Sequence, residues 1–160
     1  MMNDELTLRN AIRADISVLA KHRRWMFDDM LMVQKAGYTA AEVESMEPAY
    51  QRYLEEHFGG ILRAWVVEVA GRVVASGAVL LYDWPPRPGD SVGRAALLHS
   101  VYTEPEYRRR GLARRIVDVM VAECRRMGLR TVSLHASEAG RSLYEAMGFK
   151  ETSEMRLGLR

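Results

Sequence analysis

The chain of 160 residues is long enough for one domain with its own hydrophobic core. Its composition, 48% hydrophobic and 28% charged residues, is ordinary for a globular protein. The formal net charge of +2 is too small to indicate a nucleic-acid-binding protein, although arginine far outnumbers lysine and supplies planar donors suited to carboxylates and phosphates.

Cysteine content and hydropathy restrict the class of protein further. Cys124 is the single cysteine, which excludes an internal disulfide and a paired metal-ligand spacing, so no metal site is predicted. The N-terminal segment contains the charged residues Asp4, Glu5 and Arg9 and has no apolar region typical of a secretory signal. No apolar run in the sequence reaches membrane-spanning length. We therefore expect a soluble cytoplasmic protein that has no membrane partner.

The first forty residues predict a short strand followed by helices. Alternation over Leu6–Arg9 indicates the strand. Asp15 can cap a helix whose apolar residues recur at helical spacing, and Gly37 is a plausible end for it. A capping box that starts at Thr39 predicts a second helix, and Pro48 is expected to kink or split that helix.

The middle of the chain predicts three strands. Leu62–Ala70 and Val73–Tyr82 are β-rich segments separated by the Ala70–Gly71 dipeptide, which favours a hairpin turn. Three prolines make Asp83–Gly93 a loop, and Ala95–Thr103 is predicted as the next strand.

The C-terminal third alternates between helix and strand. Leu112–Met127 has an apolar face at helical spacing, Arg130–His135 is predicted as a strand and Ala139–Met147 as a short helix. Phe149–Leu159 is predicted to add one or two final strands. Because there is no repeat, low-complexity tract or linker, residues 1–160 are predicted to form a single α/β domain with a mixed sheet.

The segment "RRRGLA", from Arg108 to Ala113, lies where a loop enters a helix. The N-terminus of a helix presents unpaired backbone N–H groups and a positive dipole end, which bind phosphate. Gly111 would let a ligand approach the backbone closely. The local pattern is equally compatible with a solvated arginine loop. It lacks the lysine and hydroxyl residue of a Walker loop and the glycine spacing of a dinucleotide fingerprint.

Two longer segments carry a family resemblance. "VYTEPEYRRRGLARRIV" resembles motif A of the GNAT superfamily of acyl-CoA-dependent N-acetyltransferases, with Arg108, Gly111 and Ala113 on its pattern of Arg or Gln, two residues, Gly, one residue, Gly or Ala. "SEAGRSLYEAMGFK" is similar to motif B, with Tyr144 at the position of the family's tyrosine. The two motifs follow in the family's order and spacing.

This resemblance implies a mixed, mostly antiparallel sheet flanked by helices, whose central strands splay to admit coenzyme A. Acetyl-CoA is the implied co-substrate. Backbone amides of Arg109–Arg114 would hold its pyrophosphate, strand backbone would pair with its pantetheine arm, and Arg141 could meet a phosphate. Ser137 falls where many family members carry an asparagine. The implied coenzyme-binding residues are Val101, Tyr102, Thr103, Arg108, Arg109, Arg110, Gly111, Leu112, Ala113, Arg114, Ser137 and Arg141.

The same resemblance implies catalytic roles. Tyr144 would protonate the departing thiolate as general acid, although its helical spacing also fits a core aromatic residue. His99 lies on the strand before motif A, where some family members place a base, and an imidazole near its ordinary pKa could accept the ammonium proton near neutral pH. A histidine satisfied within the sheet, Glu104 as the base and a water chain remain alternatives.

The implied activity is transfer of an acetyl or other short acyl group to a primary amine within a ternary complex. The acceptor remains open between a small amine and a peptide amine. Candidate contacts are Trp25, Met26, Asp28, Asp29, Met30 and Trp84, of which the two aspartates would either attract a cationic amine or form a solvated helix face. The alternative is a non-catalytic acyl-CoA-binding sensor or scaffold. Nucleic-acid binding through Arg108–Arg110 is not expected, and a homodimer is compatible with the sequence.

Overall fold

The computed structural model describes residues 5–33 and 37–159. A five-stranded sheet has the spatial order β1-β2-β3-β4-β5 and is antiparallel except for the parallel β4–β5 pair. The strands are β1 Leu6–Asn10, β2 Leu62–Val69, β3 Arg72–Asp83, β4 Arg94–Thr103 and β5 Val132–Leu134. The helices are α1 Ile16–Val33, α2 Ala40–His57, α3 Leu112–Arg126 and α4 Arg141–Ala146. The predicted mixed, mostly antiparallel α/β domain is confirmed.

Local signals in the sequence explain where several elements begin. The Thr39 hydroxyl accepts a hydrogen bond from the Glu42 N–H (3.2 Å), and the Glu42 carboxylate accepts one from the Thr39 N–H (2.7 Å). This capping box starts α2 as predicted. Ala70 and Gly71 both have positive φ (48° and 78°), as the central residues of a type I′ hairpin turn require.

Of the two predicted outcomes at Pro48, a kink or a split, the split does not occur, because α2 continues through Pro48 as a single helix. A proline inside a helix removes one backbone hydrogen bond. Here the cost is offset by packing, since Val43, Tyr50 and Leu54 on both sides of Pro48 are buried.

The core lies on both faces of the sheet. Helices α1 and α2 cover one face, where Leu19, Leu54 and Val66 are buried. Helix α3 covers the other face, and there Ile116 and Met120 are fully buried. This amphipathic face of α3 is the one that the apolar spacing predicts.

Gly77 lets α3 lie close to the sheet. A Cβ at Gly77 would lie 2.6 Å from Ile116 Cγ2 and 2.8 Å from Met120 Sδ, so only glycine fits below the helix. The β3–β4 register shifts beside it, between Ser76 and Ala78. Across this irregularity, Ser100 of β4 adopts a positive φ of 55°.

Strands β4 and β5 pair over only three residues each. Ala96–Leu98 pairs with Val132–Leu134, and after Leu98 the β5-facing edge of β4 has no strand partner among the described residues. The observed β5 is accordingly shorter than the predicted Arg130–His135. The two strands separate toward their C-terminal ends, which opens the sheet at the point where the site lies.

The predicted strands over Phe149–Leu159 are wrong, since these residues form no strand. The apolar residues that suggested alternation, Met155, Leu157 and Leu159, are between 82% and 94% exposed. Alternation stabilises a strand only where a neighbouring strand and a packed face are available, and this segment has neither among the described residues. Helix α4 is also shorter than the predicted Ala139–Met147. No described helix has the length and apolar character needed to cross a membrane.

Candidate active site

A groove of about 760 Å³ opens where β4 and β5 separate. It is bounded by the C-terminal half of α1, the end of β4, the start of α3, and α4 with the turn before it. The structure brings together most of the residues that the sequence implied: Val101, Tyr102, Thr103, Arg108, Arg109, Gly111, Leu112, Ala113, Arg114, Ser137 and Tyr144.

The N-terminus of α3 forms one end of this groove. The first backbone hydrogen bond of the helix runs from the Arg115 N–H to the Gly111 carbonyl (3.1 Å), so the N–H groups of Arg109–Arg114 have no acceptor among the described residues. Arg109 and Gly111 both have left-handed backbone conformations, with φ of 62° and 74°. Successive free N–H groups in such a turn form a concave anion site at the positive end of the helix dipole.

The three loop arginines have different surroundings. Arg108 Nε donates to the Thr103 carbonyl (2.9 Å), and its Nη2 donates to the Asp29 carboxylate (2.6 Å). Arg108 therefore connects the loop, β4 and α1 across the groove. The Arg110 guanidinium instead lies over the Tyr107 ring, 5.2 Å from its centroid, and Arg110 does not line the groove.

Two further predicted contacts have local partners at α4. Arg141 forms ion pairs with Glu151 and Glu145 and does not line the groove. Ser137 does line it, and its hydroxyl accepts a hydrogen bond from the Gly140 N–H (3.2 Å) just before α4 begins. The Ser137 hydroxyl thus fixes the turn that leads into α4.

Tyr144 projects from α4 into the groove wall. Its ring packs edge-to-face against Phe149, with 5.8 Å between centroids, so the core contacts expected of this residue are present. No hydrogen bond joins its hydroxyl to the described side chains or backbone groups, and burial alone perturbs its pKa. Burial raises the Tyr144 pKa above its ordinary value near 10, so the phenol stays protonated at physiological pH and can donate.

His99 lies on the α2 side of the sheet and does not line the groove. Its Nδ1 is 3.1 Å from the Ser100 hydroxyl, its ring is edge-to-face with Tyr50, and its buried Nε2 has no hydrogen-bond partner within residues 5–33 and 37–159. Burial, together with the positive charge of Arg23, lowers the pKa of His99 to about 3. The expectation that His99 takes up a proton near neutral pH therefore does not fit its environment.

Glu104, the alternative base, is buried at the end of β4. Its carboxylate pairs with Arg72 and lies 3.6 Å from His22 Nε2. The negative charge of Glu104 is therefore already paired with the Arg72 guanidinium.

Helix α1 supplies groove residues that no local sequence pattern places beside the coenzyme motif. Met26 and Met30, one turn apart, line the wall opposite α3, together with Asp29. The sequence suggested these three only as acceptor contacts. Their helical spacing was visible, but the contact between α1 and the motif A loop depends on tertiary packing. Trp25 and Asp28 line a separate depression of about 370 Å³.

Comparison with known proteins decides the family. Residues 27–149 match the Acetyltransferase (GNAT) family, which is well over half of the chain. The chain belongs to the GNAT acetyltransferase family. This GNAT domain is an acyltransferase, and the reaction of the family is acetyl transfer to an amine.

Relatives and solved structures agree with this assignment. The GNAT chain is 26% identical over 121 residues to a glucosamine 6-phosphate N-acetyltransferase of Trypanosoma brucei brucei, covering 75% of this chain and 80% of the relative. Its fold is similar to that of a GCN5-related N-acetyltransferase from Ralstonia eutropha, with a TM-score of 0.88, 25% identity and coverage of 97% and 99%.

A second structural neighbour is a predicted acetyltransferase from Clostridium acetobutylicum solved with acetyl-CoA. The TM-score is 0.83 and the identity is 27%, with coverage of 98% of this chain and 96% of the neighbour. Within residues 5–33 and 37–159, no group of three or more acidic, histidine or cysteine side chains is placed to hold a metal ion.

Proposed function

We propose that the groove of this GNAT enzyme binds acetyl-CoA and that the acetyl group passes directly to an amine in a ternary complex. The observation that carries the proposal is the run of unpaired N–H groups from Arg109 to Arg114 at the start of α3. These groups would hold the pyrophosphate. Gly111 has a left-handed backbone conformation, and no described atom outside its chain neighbours lies within 4 Å of the position that a Cβ would occupy. The space in front of the loop is therefore open to a phosphate.

The unpaired edge of β4 fits the pantetheine arm. Val101, Tyr102 and Thr103 line the groove, and no described strand pairs with their β5-facing backbone groups. An extended ligand with amide groups can pair with such an edge like an added strand. The Thr103 hydroxyl beside the groove is also buried and has no hydrogen-bond partner in the described part of the chain, which supports a polar ligand there.

Tyr144 is proposed as the general acid. The thioester supplies the activated acetyl group, and the departing sulfur requires a proton. The Tyr144 phenol lies in the groove wall, stays protonated and has no competing partner. A backbone N–H of the free β4 edge would stabilise the developing negative charge on the carbonyl oxygen.

His99 remains a proposal for the base. With its pKa at about 3, its imidazole is neutral across the physiological range and can accept a proton only transiently or through water. If His99 takes the amine proton, His99→Ala lowers the turnover number by a similar factor between pH 6 and pH 8, because no His99 titration falls in that range.

The activity itself is tested by a panel of primary amines with acetyl-CoA, read by release of free thiol. The panel includes α-amino acids, their carboxamides, glucosamine, glucosamine 6-phosphate and a lysine peptide. Glucosamine 6-phosphate is included because the name of a relative specifies it. Thiol release that depends on an amine supports the proposal, and no release with any amine contradicts it.

Coenzyme A should raise the thermal midpoint of the enzyme. A ligand that binds only the folded state stabilises it by about 2.7 kcal/mol when present at a hundredfold excess over its Kd. The measurement is a thermal melt with increasing coenzyme A. An unchanged midpoint at millimolar coenzyme A would contradict binding in the groove.

Gly111→Val should weaken acetyl-CoA binding. The variant places a branched side chain where the phosphate must approach and strains a left-handed residue, so we expect the KM for acetyl-CoA to rise at least about tenfold. Gly128→Val is the matched control, since Gly128 has nearly the same φ (75° against 74°) and equally open surroundings at the other end of α3. Both variants should lose similar stability, but Gly128→Val should keep the wild-type KM. Equal KM values for the two variants would show that Gly111 does not face the coenzyme.

A further inference from the structure

Helix α1 carries an arginine outside the groove, in surroundings unlike those of the other arginines. Arg23 is partly buried between two aromatic rings, with its guanidinium carbon 5.0 Å from the Phe27 centroid and 4.7 Å from the Tyr50 centroid. Its Nη1 donates to the Ser100 hydroxyl (2.8 Å). These four residues, from α1, α2 and β4, are called the Arg23 cluster below.

The Arg23 cluster lacks an anion. No carboxylate of the described residues lies within 4.0 Å of Arg23, whereas the next residue, Arg24, pairs with both Asp28 and Glu47. A guanidinium carries five N–H groups, and the Ser100 hydroxyl accepts from only one of its nitrogens. Burying a charge is unfavourable unless it is paired and hydrogen-bonded. The remaining N–H groups are therefore available to an anionic ligand.

The Arg23 cluster adjoins the acetyl-transfer groove. Ser100 directly precedes Val101, which lines the groove at the unpaired edge of β4. On α1, Met26 and Met30 follow Arg23 by three and seven residues, so they lie on the same helix face and also line the groove. Arg23 thus lies three residues, or roughly 4.5 Å along the helix axis, before Met26, the first groove-lining residue of α1.

We propose that the Arg23 cluster binds an anionic group of the acceptor, a carboxylate or a phosphate, and so selects small amines that carry such a group. This inference rests on the proposed function. The planar fork of arginine binds both groups through paired hydrogen bonds, and Phe27 and Tyr50 shield that contact from water on two sides. The acceptor amine would then lie toward Val101 and the thioester.

The acidic residues that suggested a cationic acceptor are already paired. Asp29 accepts from Arg108 at 2.6 Å, and Asp28 lies 3.6 Å from Arg24. Asp29, which lines the groove, is compensated by Arg108, whereas Asp28 shares Arg24 with Glu47 and lines the separate depression instead of the groove. Arg23 has no such compensation among the described residues. The charge balance favours an acceptor with an anionic group over a polyamine.

The test compares matched amines in the wild-type enzyme. Each α-amino acid is measured against its carboxamide, and glucosamine 6-phosphate against glucosamine, by thiol release at saturating acetyl-CoA. We expect kcat/KM to be at least tenfold higher for the anionic member of at least one pair. The amino-acid pairs and the sugar pair distinguish a carboxylate from a phosphate. Amine-dependent release with no such preference overturns this inference and leaves the acetyltransferase activity intact, whereas no release with any amine overturns both.

Variants at two neighbouring positions then assign the preference. Arg23→Met keeps the aliphatic length without the charge. It should bring the ratio of kcat/KM for the anionic amine to kcat/KM for its neutral counterpart to about one, mainly by raising the KM for the anionic amine. Arg23→Lys keeps the charge without the fork and should retain part of the preference. Arg24→Met is the matched control on α1, and it should retain the wild-type ratio.

A purely structural role for Arg23 gives a different result. If Arg23 only supported Ser100 and Tyr50, its removal would lower kcat equally for the anionic and the neutral amine, and the ratio would stay at the wild-type value. Thermal melts of each variant show whether it is folded. If Arg23→Met does not fold, a wild-type ratio in Arg23→Lys overturns the assignment and a reduced ratio supports it.

Discussion

Tyr144→Phe should reduce the turnover number by about a hundredfold while leaving acetyl-CoA affinity nearly unchanged. The substitution keeps the aromatic ring and its edge-to-face packing on Phe149, and it removes only the hydroxyl of this groove-lining residue. Loss of a general acid typically costs about 10²–10⁴-fold in rate. We expect the low end of this range because a coenzyme A thiolate is already a fair leaving group. The proton moves only in the transition state, so the effect falls on kcat rather than on KM.

The measurement is steady-state thiol release with both substrates saturating, together with a test that chemistry limits the rate. Tyr107→Phe is the matched control, since Tyr107 packs against the same core but does not line the groove. It should retain wild-type turnover. A Tyr144→Phe enzyme within about threefold of wild type, with chemistry rate-limiting, would show that Tyr144 is a core residue and not the acid.

The second large effect is a loss of stability in mild acid. His22 is fully buried, with Nδ1 2.8 Å from the Ser76 hydroxyl and its ring against Tyr102. Burial, with a further contribution from the positive charge of Arg72, lowers the His22 pKa to about 4. Glu104 lies 3.6 Å away but is paired with Arg72, so it does not reverse this direction.

An unfolded histidine binds its proton near pH 6.5, whereas folded His22 and His99 bind theirs only near pH 4 and pH 3. Between these pH values the unfolded chain binds more protons than the folded protein. The contribution of the two histidines to the free energy of unfolding is therefore complete above pH 6.5 and is lost as the pH falls. Each histidine should lower the free energy of unfolding by about 2 kcal/mol at pH 5, relative to pH 8. The combined loss of about 4 kcal/mol is large against a typical total of about 5–15 kcal/mol.

Urea unfolding at pH 8 and pH 5 checks this result. His22→Asn can still reach the Ser76 hydroxyl but does not titrate, so the difference between the two pH values should fall from about 4 to about 2 kcal/mol. The cost of repacking appears equally at both pH values and does not affect the difference. His99→Asn should act in the same way. A wild-type difference in both variants would mean that the two buried histidines do not control acid stability.

Local sequence determined most of the elements of this enzyme. The capping box at Thr39, the Ala70–Gly71 turn and the apolar face of α3 act over a few residues, so their structural outcome was visible without the rest of the chain. The motif A loop was visible for the same reason, because free N–H groups at a helix start and a left-handed Gly111 are properties of that segment alone. The family resemblance then connected that loop to coenzyme A.

Two local expectations failed because packing decides them. The helix-breaking tendency of Pro48 is opposed by buried residues on both sides of it. The alternating pattern in the last residues of the chain predicts a strand, but a strand requires a hydrogen-bonded neighbour and a covered face. Neither requirement can be read from a short segment.

Only the tertiary structure decided the charge state and the partners of the site residues. Sequence places His99 on a strand, but its low pKa arises from burial beside Tyr50 and Arg23, which come from α2 and α1. Sequence likewise shows Arg23 and Arg24 as neighbours on a helix. The fold gives Arg24 two carboxylates and gives Arg23 two aromatic rings and a hydroxyl. Burial and electrostatic pairing depend on residues distant in the chain, so the tertiary structure, and not the local sequence, leaves Arg23 without a described carboxylate as its partner.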